Sequence, residues 1–385
     1  MRERDDLPFA MVEYKDRIGR VRAKMAEKGL DAMVVTTPAN LHWLTGYETQ
    51  GLWYLNALVL PVDGQPAMVT RAAEQTVVEA YTWVEQRRGF ADHEPAVDIL
   101  AEVIGEMGLD HARLGYESDS YYLRTMELDE LRAALPTADF DPCVQLIEWE
   151  RIVKSPAELE YVRAAAAAAD AGVAAGIAAV AEGVAENEIA GDVYRAMLRA
   201  GGQWGPMAPF VVSGPRSFVS HATWRERVLT NGDCVFFEVG GCVHRYNAPI
   251  MRTASVGPKS AKLREAEGLV LEAVDAAMEE IRPGASTSTP DRVAREIIAR
   301  NSFGAQQYTR VGYSVGVAFP PGWGEGHVID IKSENDSEFR AGMTFHLIPF
   351  LQIPDEAAVG ISETILVTED GCERLTATDR RVFEC

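Results

Sequence analysis

Apolar and polar positions follow two rhythms along this chain. From Tyr14 to Leu30, in YKDRIGRVRAKMAEKGL, apolar residues recur at the three-and-four spacing of an amphipathic helix, and DAMVVTT directly after it is a short apolar strand. LHWLTGY reads as a turn-rich loop carrying aromatics, and LNALVLPVDGQPAMVT as two strands around a turn. ILAEVIGEMGL and ELDELRAALP return to helical spacing, with ARLGYE as a strand between them. The pattern over residues 1–150 predicts an α/β layer domain. At KSPAELE it restarts: Ser155 is placed to cap, Pro156 to sit in the first turn and Glu158 to close a capping box. Two domains are therefore expected, over 1–150 and 151–385.

The second domain repeats its own grammar. A long helix from 155 leads to EGVAENEIAGDVYRAML, a turn and a second helix; later a helix from 259 leads to RPGASTSTPDRVAREIIA, with Pro283 and Gly284 at the turn. CVFFEV follows the first pair, and MTFHLIPFL and ETILVT follow the second. Two similar α/β halves closing on a shared sheet are expected, with a pocket between them. The weakly polar stretch AAAAAADAGVAAGIAAVA carries Asp170 and follows the helix start at Ser155, so it reads as a packed helix and not a membrane span.

Composition narrows the function classes. A chain of 385 residues with 47% apolar content exceeds one ordinary core. The 37 basic and 58 acidic residues leave −21, and no basic stripe offsets it, which argues against nucleic acid and anionic membranes as partners. MRERDDLPFA lacks the apolar core of a signal peptide, so a cytoplasmic location is expected. Five scattered cysteines fit neither a disulfide framework nor a zinc pattern. No dinucleotide or phosphate-loop motif stands in a strand-to-helix context, and no cofactor is expected. GYSVG at 312–316 matches the nucleophile-elbow pattern, but no helix can start in the VAFPPGWGEG that follows, which rejects Ser314 as a nucleophile.

Candidate chemistry begins with Glu238, which ends the apolar run CVFFE. A lone ionised carboxylate there needs a cation, a metal or a hydrogen-bond donor, or else stays protonated; a structural Glu held by an Arg or an amide is the equal alternative. His221 lies in SFVSHATWRER, a loop that can aim an imidazole, a group that titrates near neutrality, at that strand. Trp43, Trp53, Tyr54, Trp204, Phe319 and Trp323 supply aromatic faces of the kind a compact cation favours. Alternation along GMTFHLIPF puts Thr344, His346 and Ile348 on one face, so His346 is a site candidate. His42, His93, His111 and His327 are given no role.

The order of these pieces, from KSPAELE through the hairpin ending in RT to GYSVG, GMTFH and ETILVTEDG, resembles the creatinase/prolidase/aminopeptidase P family over nearly the whole chain. The resemblance implies an amino-terminal creatinase-like domain and a carboxy-terminal pita-bread domain of two related αβ halves. Metal-dependent members hold two divalent ions with two Asp, one His and two Glu; in this sequence those positions hold Glu238, Pro249, Tyr313, Ile348 and Ser362. Four of the five cannot serve a hard dication, which implies chemistry without a metal.

PAN..WLTGY, HATW, FFEVGGC..RY..P..RT, GY..G...PPGWGE and GMTFH look most like the metal-free, ectoine hydrolase-like members. The resemblance then implies hydrolysis of a C–N bond in a small cyclic amidine, most simply ectoine to N-acetyl-2,4-diaminobutyrate. Glu238 and Glu363 would hold the amidinium, aided by Tyr313 and Trp323, with His346 a further substrate-binding residue. Arg252 and Tyr246 would take the substrate carboxylate, with a structural ion pair to a nearby Glu as the alternative for Arg252. His221 would serve as general acid and base, or Glu238 would attack the carbon itself. A homodimer is implied, with Trp43, Trp53 and Tyr54 acting in trans. Three other readings stay open: a creatinase-like amidinohydrolase, an inactive zwitterion-binding relative and an Xaa-Pro metallopeptidase.

Overall fold

A computed structural model describes residues 1–354 and 356–385. The chain separates into two compact units, Met1–Arg151 and Ile152–Cys385.

The first unit is built on a mixed sheet of six strands: β1 (Ala32–Val35), β2 (Ala57–Pro61), β3 (Ala67–Arg71), β4 (Gln86–Phe90), β5 (Arg113–Glu117) and β6 (Asp139–Cys143). Their order is β4-β3-β2-β1-β5-β6. The central strands AMVV and ALVLP are buried at every position, as apolar runs covered on both faces should be. The edges β4 and β6 read QRRGF and DFDPC, too polar for a pattern search to find. The stretch expected to be a loop is a helix, Pro38–Thr45. Pro38 presets its first turn, and Gly46, at φ +87°, ends it with an N–H bond of 2.7 Å to His42 O. All eight residues are buried, so the helix has no polar face to betray its period.

The second unit opens with the helix Pro156–Ala178. Ser155 Oγ accepts the Glu158 amide at 3.3 Å, and Glu158 Oε2 accepts the Ser155 amide at 2.7 Å. Replacing Ser155 with Ala removes half of this box and should lower the stability of the protein by about 1 kcal/mol in a urea titration. The helix lies on a four-stranded sheet ordered β17-β9-β8-β7, comprising β7 (Phe210–Ser213), β8 (Cys234–Val243), β9 (Tyr246–Ser255) and β17 (Val382–Glu384). Its small residues are there for approach: a Cβ on Gly241 would stand 1.9 Å from Ala165 O, and one on Gly176 would stand 2.7 Å from the Phe237 ring.

The second half repeats this with helices Ala261–Glu279 and Ser288–Ile298. Its five-stranded sheet is ordered β11-β10-β12-β15-β16, comprising β10 (Gly312–Ser314), β11 (Asp330–Ile331), β12 (Thr344–Leu347), β15 (Glu363–Val367) and β16 (Cys372–Arg374). A hairpin of β13 (Phe350–Ile353) and β14 (Ala357–Gly360) completes it. Leu263, Val270, Phe345, Leu347 and Ile365 share its core. Among the described residues the halves do not close on one continuous sheet. Each keeps its own, with links between them at the Tyr246–Val317 bridge, made by Asn247 N to Gly316 O at 3.0 Å and Ala318 N to Arg245 O at 2.9 Å, and at Ser362 N to Met251 O, 3.2 Å. Among the described residues no helix is long and apolar enough to cross a membrane.

Candidate functional site

Glu238 sits mid-strand in β8, opposite Phe210 of β7 and Met251 of β9. Alternation sends Val235, Phe237 and Val239 into the core beneath the alanine-rich helix. Phe236, Glu238 and Gly240 therefore face the other way. There Phe210, Phe236, Met251, Tyr313, Trp323 and Ile348 form one buried apolar cluster with contributions from both halves. Trp323 lies against Gly240, where a Cβ would come within 2.7 Å of its ring. The Glu238 side chain is nearly enclosed, at 9% exposure, and burial alone pushes its carboxyl up to about 8. Among the described residues neither an Arg, a Lys nor an amide takes this carboxyl in hand, which removes the structural alternative of a Glu neutralised by its own protein.

Beside it runs a chain of buried polar groups. Trp323 Nε1 donates to Tyr313 Oη at 2.8 Å; Tyr313 Oη meets His346 Nδ1 at 2.8 Å; His346 Nε2 meets Ser362 Oγ at 2.6 Å; and Ser362 Oγ accepts the Met251 amide at 2.6 Å. Register makes this possible, because Tyr313 and His346 are cross-strand partners in β10 and β12. Burial, with Arg252 and Arg310 adding repulsion, holds the His346 imidazole well below its ordinary range. Burial raises the Tyr313 hydroxyl well above its own, with the Glu238 charge adding to it. Both groups are neutral throughout the physiological range. Ser314 is committed elsewhere, its hydroxyl donating to Glu325 O at 2.8 Å.

Several expected site residues are engaged in other work. Glu363 is committed within the protein: its carboxylate, wholly buried, is held by Arg252 Nη2 at 2.9 Å, by the Thr376 hydroxyl and by Arg374 at 3.5 Å. Arg252 is equally consumed. Besides Glu363 it donates to the carbonyls of Met251, Ser362, Thr378 and Asp379, so the ion-pair alternative is the correct one. Tyr246 donates to Glu158 Oε1 at 2.6 Å and, like Arg252, lies on the face of β9 opposite to Glu238. Most of the aromatic faces already carry a cation from the chain itself. Arg245 stacks on Trp204 at 3.6 Å and Phe319 at 4.7 Å, Arg17 on Trp43 at 5.1 Å, and Arg71 on Tyr54 at 4.6 Å. Trp53 packs on Tyr54 at 5.3 Å in the first unit and is 75% exposed.

His221 occupies an exposed turn at φ +58°, its ring 6.0 Å from that of Phe210, the cross-strand neighbour of Glu238. Phe210 and Gly240 were passed over in the sequence. The signal for Gly240 was present, since a glycine inside a strand marks close approach, here by Trp323. Phe210 gave none beyond an apolar position in a strand.

The donor set at the five positions that hold metal in metal-dependent relatives does not fit a dication. Tyr313 and Ser362 are tied into the polar chain, the Pro249 carbonyl accepts the Thr364 hydroxyl at 2.7 Å, Ile348 is apolar, and Glu238 is the single carboxylate. Among the described residues no group of three or more His, Cys, Asp or Glu could hold a metal ion.

Comparison with known proteins places this geometry. Residues 160–369 match the model of metallopeptidase family M24, and residues 17–153 match the creatinase/prolidase N-terminal domain. The chain is 30% identical to the ectoine hydrolase of Halomonas elongata, with 98% of each chain covered. Among solved structures it is similar to the prolidase from Pyrococcus horikoshii (TM-score 0.83, 25% identity, 95% of this chain and 99% of that one). It also shares the fold of the prolidase from Thermococcus sibiricus (TM-score 0.85, 24% identity, 97% and 99% covered). With a creatinase-like domain in front and a pita-bread domain of two αβ halves behind, the chain belongs to metallopeptidase family M24 and is an M24-type hydrolase.

Proposed function

We propose that the protein hydrolyses a C–N bond of a small cyclic amidine, ectoine or a close analogue, without a metal ion. The observation that carries this reading is Glu238, a buried carboxyl with no cation of its own, set against Trp323 and Phe210 in a chain 30% identical to an ectoine hydrolase. An amidinium would supply the missing counter-charge, and the aromatic walls would receive its delocalised cation.

In this mechanism Glu238 releases its proton to solvent as the amidinium enters, and the resulting carboxylate pairs with the cation and holds the central carbon in place for attack. His221, above Phe210, takes a proton from the attacking water. The water oxygen bonds to that carbon as a hydroxyl, the imidazolium returns its proton to the departing nitrogen as a ring C–N bond breaks, and the hydroxyl proton passes through the freed imidazole to the released amine, leaving an amide and an ammonium group. Such proton relay is worth about 10²- to 10⁴-fold, the remainder coming from position and charge stabilisation. Glu363 has no part in it. The same reading carries a cytoplasmic homodimer.

The test is incubation with ectoine, hydroxyectoine, creatine and an Xaa-Pro dipeptide, with and without chelator, followed by proton NMR. Ectoine should disappear at an unchanged rate in chelator, with acetyl-diaminobutyrate accumulating. Cleavage of the dipeptide alone, abolished by chelator, would refute the proposal.

A further inference from the structure

The polar chain beside Glu238 contains one proton too many for its own acceptors. Ser362 Oγ has two partners, the Met251 amide and His346 Nε2. The amide can only donate, so the serine proton has Nε2 as its sole acceptor. At the other end Tyr313 Oη also has two partners, Trp323 Nε1, which can only donate, and His346 Nδ1. The imidazole, being neutral, carries one proton. Were it on Nε2, the tyrosine would donate to Nδ1 and be satisfied, but the serine proton would point at nothing inside a wholly buried site. Were it on Nδ1, the serine would be satisfied and the tyrosine would receive two hydrogen bonds, leaving its own proton outward-directed. The unmatched proton belongs at the end where a ligand can accept it. Tyr313 is that end, since it shares the Glu238 cluster with Phe210 and Trp323. A buried donor left without an acceptor costs about 1–3 kcal/mol; Tyr313 keeps 6% exposure and Ser362 none, so in the unliganded protein only the tyrosine proton can reach water, whose place a bound substrate then takes.

We infer that the hydrogen bonds from Met251 to Tyr313 run in one direction, with His346 protonated on Nδ1, so that Ser362 and His346 position Tyr313 to donate to an oxygen next to Glu238. The substrate then offers a cation to the carboxyl and an electron-rich atom to the hydroxyl. For C–N hydrolysis, an inference that rests on the function proposed above, the atom is the oxygen left on the central carbon by the attacking water. Tyr313 donates a hydrogen bond to it as charge develops and keeps its proton, because no bond to the tyrosine forms or breaks. Ser362 and His346 are positioning residues that act through Tyr313.

Long-range proton–nitrogen correlation on full-length protein carrying ¹⁵N-histidine reads the tautomer directly, with the His346 signals identified by their loss in His346→Asn. Between pH 7 and 9 the unliganded protein should show Nδ1 protonated and Nε2 bare. Ser362→Ala should abolish that preference, and Ser362→Thr, which keeps the hydroxyl, should retain it. On ectoine, Tyr313→Phe should lower kcat about 10²-fold and Ser362→Ala about 10-fold, each with KM within about 3-fold of wild type. A proton found on Nε2, or a tautomer indifferent to Ser362→Ala in a variant of unchanged melting temperature, overturns the inference. The tautomer requires no substrate, so failure to turn over ectoine would strike the proposed function and leave the direction of the chain standing.

Discussion

Glu238→Gln is expected to lower ectoine turnover by about 10³-fold and, unusually for an active-site change, to make the protein more stable at alkaline pH. Both effects come from one property. Burial lifts the carboxyl from its ordinary 4.5 to about 8, so between these values the folded protein holds a proton that the unfolded chain has lost. Stability at this site is greatest below pH 4.5 and declines as pH rises through 8. Glutamine keeps the shape and has no proton to lose. The variant and the wild type should therefore unfold alike near pH 4, and the variant should gain through the window to reach about 3–5 kcal/mol above pH 8. Urea titrations at pH 4, 6 and 9 check this. Parallel stability curves would mean that the carboxyl is ionised and solvated, and the cation-binding account would lose its basis.

The largest structural loss is expected from Arg252→Met. This substitution leaves Glu363 buried without its closest cation and strips donors from four carbonyls in three segments. Breaking a buried pair from one side costs about 3–5 kcal/mol, because the surviving charge has no replacement for water. Arg252→Met combined with Glu363→Leu should recover part of that loss and not all of it, since the carbonyls remain unserved. Denaturant midpoints of the three proteins decide. A single variant within about 1 kcal/mol of wild type would show that the guanidinium is not a clamp.

The contrast between these two glutamates explains how far the sequence could be read. Glu238 stood out because an acid at the end of CVFFE contradicts its surroundings, and strand alternation alone puts His346 on the same face as Ile348. Glu363 looked equally suited to the amidinium, and nothing local distinguished it. Arg374 and Thr376 reach it from the adjoining β15–β16 hairpin, but its closest cation, Arg252, lies 111 residues away and is brought to it only by tertiary packing. Tyr246 and Arg252 were misplaced for a different reason. Their face of β9 is set by a two-residue hairpin turn at His244 and Arg245, both left-handed at φ +44° and +66°. That turn normally announces itself with Asn-Gly, and His-Arg gives no such signal. The helix Pro38–Thr45 was missed because complete burial erases the polar stripe on which helical periodicity depends. The aromatic residues misled through their number: stacking arginines drawn from the same chain had already claimed most of the faces.

Gly240 and Gly241 adjoin each other in one strand yet answer to opposite sides of it. One yields to an indole and the other to a helix backbone. This dipeptide fixes the thickness of the layer beside Glu238 from both sides at once. A methyl added at either position would collide, with the Trp323 ring on one side or the Ala165 carbonyl on the other, so at these two positions the strand has no room for side chains larger than hydrogen.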